Sequence, residues 1–461
     1  MYSGQLDEEG NVITSEVEKS GRKHSNWLSL MYPRLVLARN LLTNDGIIVV
    51  SIDDHEVHNL IQIMNEIYGE ENRLGTFIWK RRQNVDSRSK TNISEDHEYL
   101  LCYAKTEDSK FRGKEKDLTK YSNPDGDIRG EWMSDNMIGL ATKDQRPNLH
   151  YDLTDPNTGI VYACPSTGWR YEPKRMQQLI ENDEVIFPKN PEGRPRRKKF
   201  LKDLNDTYTG FSTILDSVYN TQATREVKEL FDGIEVFDFP KPVDLIEKLM
   251  EQVVGDDPEA FVIDFFAGSG TTAHALMKLN LKDNGNRKFI LIQFKELVKN
   301  EQYESIIDIT RERIVRAAKS LGIDASFKYF VLDSSNFKNW TYEVDDAQQL
   351  AQQLEAWKYP VKEGRSADDV LYEVLLKGGF ELTANIQRIQ IEDTHFFVVE
   401  ENKQRVIVYV SQQNISELVF HRMMSFKPTQ VWLLDEAFES DDMKKNFELQ
   451  LKEEGVAFRS I

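Results

Sequence analysis

Cysteine is almost absent from this sequence, since Cys102 and Cys164 are the only two. Neither belongs to a CxxC pair or to a cluster with histidine, which excludes a disulfide framework and a cysteine-based metal site. Long apolar runs are missing too, because no stretch approaches the roughly 18 residues that a membrane-spanning helix requires. The residues after Met1 are polar and unlike a signal peptide. We therefore expect a cytoplasmic protein with reduced, structural cysteines and no membrane contact.

Positive charge is in deficit, with 59 Lys and Arg against 77 Asp and Glu and a net charge of -18. Phosphate binding relies on Lys and Arg, so the surface as a whole does not have the composition of a nucleic-acid interface. Two basic stretches, residues 80–90 and 189–202, are candidates for a local DNA groove. Solvated loops of an acidic protein explain the same stretches, and the sequence leaves both interpretations open.

The apolar residues that are present, 39% of the chain, follow helix and strand periods over most of the 461 residues. Such a length accommodates roughly three domains of about 150 residues. A helical pattern from Ser25 onward, which Pro33 is expected to interrupt, precedes the strand-like run GIIVVSIDD. Asp53 and Asp54 end this run, at the position where open α/β sheets hold their ligands. His55 and His58 follow as a possible metal pair or, alternatively, as solvent-facing side chains of a helix cap.

Regularity is lost between about residues 106 and 210, where turn residues alternate with aromatic and basic side chains. The densest cluster comprises Trp169, Arg170, Tyr171, Lys174 and Arg175. Aromatic and Arg side chains of this kind suit a nucleic-acid reader. A small structural β-insertion is the alternative.

A strand, a glycine-rich turn and a helix are predicted at FVIDFFAGSGTT, residues 261–272. Gly268 and Gly270 allow a ligand to approach the backbone closely, and the free N–H groups at the helix start favour a polar or anionic group. Glu296, after the next predicted strand FILIQF, stands where an acidic residue can reach ribose hydroxyls. An ordinary strand-to-helix loop is the alternative, and a nicotinamide or flavin site is disfavoured because the turn has only the shorter GxG.

The last 120 or so residues predict a small α+β domain with a Gln-rich helical region at its start and no catalytic pattern. Assembly is the function that we expect of it. Asp441 and Asp442 with Lys444 and Lys445 superficially resemble a nuclease set, but an exposed capped helix explains their spacing.

Together these segments resemble one family, the modification subunit of type III restriction-modification systems, a DNA adenine N6-methyltransferase of the β class. The resemblance rests on WLSLMYPRLVLARNLLTNDGIIVVSIDD, HEYLLCYAK, RPNLHYDLTDPNTG, FDFPKP, DFFAGSGTTAHA and RKFILIQF, in that order. It implies a Rossmann-like methyltransferase fold with a mixed, mostly parallel sheet, an inserted target-recognition segment and a small C-terminal α+β domain. The implied division is 1–105 for the target-side part, 106–215 for DNA recognition, 216–335 for the cofactor half and 336–461 for assembly.

The resemblance also implies S-adenosylmethionine as cofactor, adenine in double-stranded DNA as methyl acceptor, a restriction subunit as partner and a homodimer. Asp53 would lie at the floor of the target side. The implied cofactor-binding residues are Lys241, Pro242, Asp264, Phe266, Gly268, Gly270, Thr271 and Glu296. The DNA-binding candidates are Lys80, Arg81, Arg82, Trp169, Arg170, Arg196 and Arg197.

One motif of that family is absent, the Asp-Pro-Pro-Tyr that holds the adenine amino group and stacks on the flipped base. The chain has 14 prolines, and no two of them are adjacent. We therefore identify no catalytic residue, and no metal ligand. The expectation is a methyltransferase without its N-terminal part, inactive alone. The alternative is a non-enzymatic DNA- or partner-binding fragment that needs an upstream polypeptide.

Overall fold

The computed structural model describes residues 23–87, 91–204, 207–324, 326–338, 360–411 and 413–461. The chain divides into two compact units, residues 1–325 and 326–461. The finer division of the first unit at residues 105 and 215 stays a prediction. Within the described residues, no helix is long and apolar enough to cross a membrane.

The first unit alternates helices and strands along most of its length. Its described helices are α1 (Lys23–Leu41), α2 (Val57–Tyr68), α3 (Pro173–Glu181), α4 (Asn220–Leu230), α5 (Val243–Val254), α6 (Thr271–Asp283) and α7 (Ile306–Leu321). Its described strands are β1 (Ile47–Ile52), β2 (Arg73–Lys80), β3 (His97–Ala104), β4 (Lys114–Glu115), β5 (Trp132–Asn136), β6 (Leu153–Thr154), β7 (Val161–Tyr162), β8 (Val185–Ile186), β9 (Arg196–Phe200), β10 (Tyr208–Thr209), β11 (Ile214–Leu215), β12 (Phe261–Asp264) and β13 (Lys288–Leu291).

The largest sheet of this unit has the strand order β1-β3-β2-β11. Strand β3 is antiparallel to both of its neighbours, whereas β11 is parallel to β2, so β1, β2 and β11 all run in the same direction. Strands β12 and β13 form a separate parallel pair. The sheet is mixed, as the family resemblance implies, but two of the three strand pairings in it are antiparallel rather than parallel.

Both faces of β3 are buried, which explains its continuous apolar run. Side chains alternate across a strand, so Leu101 and Tyr103 pack in one cluster with α1 and α2, while Leu100 and Cys102 pack in another on the opposite face. Burial raises the pKa of the Cys102 thiol to about 12, which keeps it protonated and unreactive at neutral pH. Contrary to expectation, Pro33 does not interrupt α1, which runs through it to Leu41.

The segment between β3 and α4 contains short strands, as the sequence predicts, and also the helix α3, which the sequence did not predict. Strands β5, β9 and β8 form one small sheet, and β6 and β7 form a hairpin. Lys198 of β9, the central strand of this sheet, is only 5% exposed and forms ion pairs with Asp125, Asp127 and Asp183. This buried lysine of the second basic stretch therefore stabilises the insertion and is unavailable to DNA.

The second unit is an α+β domain, as the sequence predicts. Its described elements are α8 (Ala367–Lys377), β14 (Asn385–Ile391), β15 (Thr394–Glu401), β16 (Gln404–Tyr409), α9 (Glu417–Ser425), β17 (Gln430–Leu433), α10 (Asp441–Glu453) and β18 (Ala457–Ser460). The sheet follows chain order, antiparallel from β14 to β16 and parallel from β16 to β18. The predicted Gln-rich helical region, residues 345–358, lies outside the described residues.

Candidate functional site

The turn between β12 and α6 is held closed by Asp264, the last residue of the strand. One carboxylate oxygen of Asp264 accepts a hydrogen bond from the Phe266 N–H at 3.0 Å, and the other accepts from the Thr272 hydroxyl at 2.5 Å. Gly268 and Gly270 have φ values of 50° and 80°, in the left-handed region that favours glycine. The strand, turn and helix predicted from the sequence are confirmed, and Asp264 shapes the turn rather than facing solvent alone.

The surroundings of Gly268 are close but not crowded. The nearest atom to a Cβ built on Gly268 would belong to the Phe237 ring, at 3.6 Å. Because Phe237 is the first residue of FDFPKP, the structure brings the two motifs together. The Phe266 side chain beside them is 49% exposed. A cradle of glycine backbone, exposed aromatic surface and helix N–H groups without intrahelical partners fits the amino-acid end of a nucleoside cofactor.

Gln293, which the sequence reasoning missed, supports the turn from the residues that directly follow the neighbouring strand β13. Its side-chain oxygen accepts a hydrogen bond from the Gly268 N–H at 2.9 Å, and the Ile292 carbonyl accepts one from the Ala267 N–H at 3.2 Å. Since β12 and β13 are parallel, residues just after each strand lie side by side. The parallel pairing of the two predicted strands was the signal that could have identified Gln293 as a neighbour of the turn.

Strand β13 ends at Leu291, so the predicted extension of this strand to near Glu296 is wrong. The Glu296 carbonyl instead accepts a hydrogen bond from the Ile306 N–H at 2.9 Å, which places Glu296 in the loop that leads into α7. Its proposed contact with ribose stays a prediction.

Lys241 and Pro242 lie between the turn and the large sheet. The Lys241 ammonium pairs with the Glu98 carboxylate at 2.7 Å and lies 5.4 Å from the centroid of the buried Trp79 ring. The Lys241 carbonyl accepts a hydrogen bond from the Thr271 hydroxyl at 3.2 Å. FDFPKP is thereby tied both to the glycine turn and to the first residues of β3. Glu98 and Trp79 contact Lys241 beside the candidate site, and the sequence analysis did not identify either of them as a site residue.

The acidic end of β1 lies beside the start of β3. A hydrogen bond from Tyr99 to the Asp54 carboxylate raises the pKa of the Tyr99 phenol, and the Tyr99 oxygen lies 2.9 Å from His97 Nε2. Asp53 instead accepts from the His55 N–H and lies 3.2 Å from the His55 ring. Among the described side chains, no group of three His, Cys, Asp or Glu is placed to hold a metal ion.

The DNA-binding candidates differ widely in accessibility. Trp169 is 1% exposed and its indole donates to the Tyr151 carbonyl at 2.7 Å, so the ring has no face free for a base. Arg197 is largely engaged with Glu184 and Tyr171. Arg170 and Arg196 are more open, the first 3.4 Å from Asp135 and the second bonded to Ser134.

The first basic stretch lies at the end of β2. Lys80 is exposed, Arg81 is 3.6 Å from Glu98, and Arg82 pairs with Asp86 at 2.8 Å. Because Glu98 also pairs with Lys241, this stretch adjoins the FDFPKP side of the site. Among the described residues, the exposed cations of the two basic stretches are Lys80, Lys189, Arg194, Arg196, Lys199 and Lys202.

A family model described as DNA methylase, N6_N4_Mtase, matches residues 4–332. The chain is 36% identical to the type III restriction-modification enzyme StyLTI Mod subunit of Salmonella typhimurium, over 67% of this chain and 48% of that protein. It is 31% identical to the EcoP15I Mod subunit of Escherichia coli, over 70% of this chain and 56% of that protein. It is 32% identical to the type II methyltransferase M.KpnI of Klebsiella pneumoniae, over 63% of this chain and 74% of that protein. The chain thus spans about half the length of the two Mod subunits.

Proposed function

The chain belongs to the DNA methylase family whose model matches residues 4–332, and on that premise we propose that it binds S-adenosylmethionine for methylation of adenine N6 in DNA. The observation that carries this proposal is the glycine turn, which Asp264 closes and which lies against Phe237 of FDFPKP at Gly268. When bound, the cofactor would supply a methyl group on a sulfonium. We assign its binding to Lys241, Pro242, Asp264, Phe266, Gly268, Gly270, Thr271 and Glu296.

The role of the chain's own residues is to position the donor. The Asp264 carboxylate fixes the turn, while Thr271 and the Lys241 carbonyl keep the FDFPKP segment against it. Methylation of an amine is a displacement that needs the lone pair of the acceptor in line with the bond that breaks. Correct positioning therefore supplies most of the acceleration.

For DNA we propose contacts through the basic residues at the end of β2 and on the insertion. Lys80 and Arg196 are exposed, and Arg170 is half exposed, which supports phosphate contacts by these three. Arg81, Arg82 and Arg197 are partly engaged with carboxylates and would have to exchange partners. Trp169 holds the core of the insertion, so we assign it to the folding of the reader rather than to a base.

Turnover by these 461 residues alone is not expected, because they contain no Asp-Pro-Pro-Tyr acceptor motif. Among the described residues, β1 pairs only with β3 and β12 pairs only with β13, so each strand has one unpaired edge. Unpaired edges favour the addition of another strand. They support the second candidate function, a DNA- or partner-binding chain that works with a polypeptide carrying the acceptor motif.

Incubation of the purified chain with DNA and labelled S-adenosylmethionine separates these candidates. The expected result is cofactor binding without incorporation above a Gly268→Trp control, and incorporation once a polypeptide with the Asp-Pro-Pro-Tyr motif is added. Incorporation by the chain alone would show that acceptor positioning does not need the motif. Absence of cofactor binding by the well-folded chain would contradict the proposal as a whole.

The Mod subunits that the chain resembles belong by name to type III restriction-modification enzymes. We propose on this basis a cytoplasmic chain that binds a restriction subunit and forms a homodimer, with assembly assigned to residues 336–461. Light scattering of the purified chain, alone and with such a subunit, measures both associations.

A further inference from the structure

A buried arginine lies behind the glycine turn. Arg313 of α7 is 0% exposed, and one of its terminal nitrogens donates to the Ser269 hydroxyl at 2.5 Å and to the Thr271 hydroxyl at 2.8 Å. One helical turn earlier, the Thr310 hydroxyl donates to the Gly268 carbonyl at 2.5 Å. The side of α7 that faces the turn therefore binds it through two polar side chains.

The guanidinium reaches further than the turn. Thr271, which accepts from Arg313, donates onward to the Lys241 carbonyl at 3.2 Å. A single chain of hydrogen bonds thus links α7, the glycine turn and the FDFPKP segment. We assign the cofactor to the glycine turn and the FDFPKP segment, and Arg313 is the charged residue at the α7 end of this series of hydrogen bonds.

Arg313 is incompletely compensated where it lies. Its Nε and its second terminal nitrogen are buried and have no hydrogen-bond partner among the described residues. No carboxylate in the described part of the chain forms an ion pair with it, although Glu226 acts on it at longer range. Burial lowers the pKa of Arg313 to about 10, which still leaves it charged at neutral pH.

Packing alone does not explain such a side chain. A buried cation without a full set of partners costs more free energy than an apolar side chain of the same volume. A compensating negative charge near the turn would reduce this cost. The front of the turn already offers glycine backbone and the N–H groups at the start of α6, an arrangement that attracts anions.

We propose that Arg313 is a positioning residue, which holds the turn from behind through Ser269 and Thr271 and gives it the positive potential that receives a carboxylate. The proposal rests on the proposed function, because the carboxylate is then that of the amino-acid part of the methyl donor. Arg313 does not touch the ligand. Its effect reaches the ligand through the geometry and the charge of the turn.

Two ligands that share the adenosine and sulfur but differ in the amino-acid group provide the test. S-adenosylhomocysteine carries that group, with its carboxylate and its ammonium, whereas 5′-methylthioadenosine carries only a methyl group on the sulfur. Titration calorimetry on the full chain is expected to show that Arg313→Met weakens S-adenosylhomocysteine at least about tenfold, and methylthioadenosine less than about threefold, because only the first ligand has a carboxylate that the positive turn can attract. Arg313→Lys, which keeps the charge, should recover most of the loss.

Two further variants make the experiment specific. Arg316→Met removes a cation from the same helix, where Arg316 pairs with Glu312 and Asp232 near the surface, and should leave both affinities unchanged. Ser269→Ala cuts one link between Arg313 and the turn with little loss of volume. It should weaken S-adenosylhomocysteine severalfold and spare methylthioadenosine. Should Arg313→Met fail to fold, Ser269→Ala and Arg313→Lys carry the comparison.

Equal weakening of both ligands, or no weakening of either, would overturn the role of Arg313 and leave cofactor binding standing. If the unaltered chain binds neither ligand, the proposed function fails and the role of Arg313 fails with it.

Discussion

Gly270 and Gly268 both have left-handed backbone, but only Gly270 is crowded. A Cβ on Gly270 would lie 3.0 Å from the Thr310 methyl carbon, whereas a Cβ on Gly268 meets nothing within 3.4 Å. Position 270 requires glycine because of its backbone conformation and because a Cβ would be too close to Thr310. Position 268 requires glycine because of its backbone conformation and because a ligand approaches the backbone there. The turn therefore depends on α7 as much as on its own sequence.

Gly270→Ala is expected to destabilise the protein more than Gly268→Ala. Both variants carry the left-handed penalty of about 1–2 kcal/mol, and Gly270→Ala adds the collision with Thr310. Urea unfolding measures the difference. Adding Thr310→Ser to Gly270→Ala removes the methyl but keeps the hydroxyl, and should recover the extra loss; an unchanged loss would place the strain elsewhere.

His274 of α6 is expected to make the first unit sensitive to acid. Burial, with the nearby charges of Arg313 and Lys278, lowers the pKa of His274 to about 4, although Asp244 opposes the shift. Because the unfolded side chain titrates near 6.5, the unfolded state takes up protons first, and stability is lost as the pH falls from about 6.5 to about 4.

Unfolding of the full chain in urea at pH 7 and pH 5 tests this dependence. The unaltered chain should lose about 2 kcal/mol more than His274→Gln over this interval. Equal losses would mean that another group governs the acid sensitivity.

At the scale of elements, α7 carries the support of the turn, and its first residues fix where that support lies. The Asp308 carboxylate accepts hydrogen bonds from the Ser305 N–H at 3.0 Å and from the Ser305 hydroxyl at 2.8 Å. This closes the start of the helix. Thr310 and Arg313 follow directly, so the start of α7 determines the position of both.

Asp308→Ala should therefore cost about 1 kcal/mol of stability and loosen the glycine turn, although Asp308 does not contact the turn in the way that Thr310 does. Hydrogen exchange of residues 266–272 is the measurement. Asp308→Asn keeps an acceptor and should exchange almost as slowly as the unaltered chain. An unchanged exchange rate of residues 266–272 in Asp308→Ala would show that the start of α7 does not influence the glycine turn.

At the scale of the whole molecule, the second unit has a core of its own. One cluster, which includes Val370, Leu371 and Trp432, covers one face of the β14 to β18 sheet. Another, which includes Phe396, Met423 and Leu451, covers the opposite face. A sheet that is covered on both faces by its own helices does not need another unit to bury its apolar surface.

Residues 326–461 should consequently fold alone, and residues 1–325 should keep cofactor binding. We expect a single cooperative urea transition for the fragment 326–461. The fragment 1–325 should bind S-adenosylhomocysteine with an affinity within about threefold of that of the full chain, since the assigned cofactor residues all lie before residue 326. A non-cooperative transition of the isolated second unit would show that it depends on the first.

The sequence by itself determined the turn, the order of its motifs and the family, because these depend on local periods and on glycines at short spacing. Asp264, Gly268 and Gly270 were therefore found, as were most strands around them. It also predicted the small α+β unit. Boundaries were less certain: β13 ends before Glu296, and α1 continues through Pro33.

Only the tertiary structure decided which side chains contact the turn and which are buried in the core. Gln293 and Arg313 reach the turn from elements 25 and 44 residues away in the chain, a separation that no local pattern encodes. The same limitation made Trp169 look like a DNA contact and placed Lys198 within a candidate basic stretch, although both are buried. Burial depends on the residues that pack around a side chain, and these come together only when the chain folds.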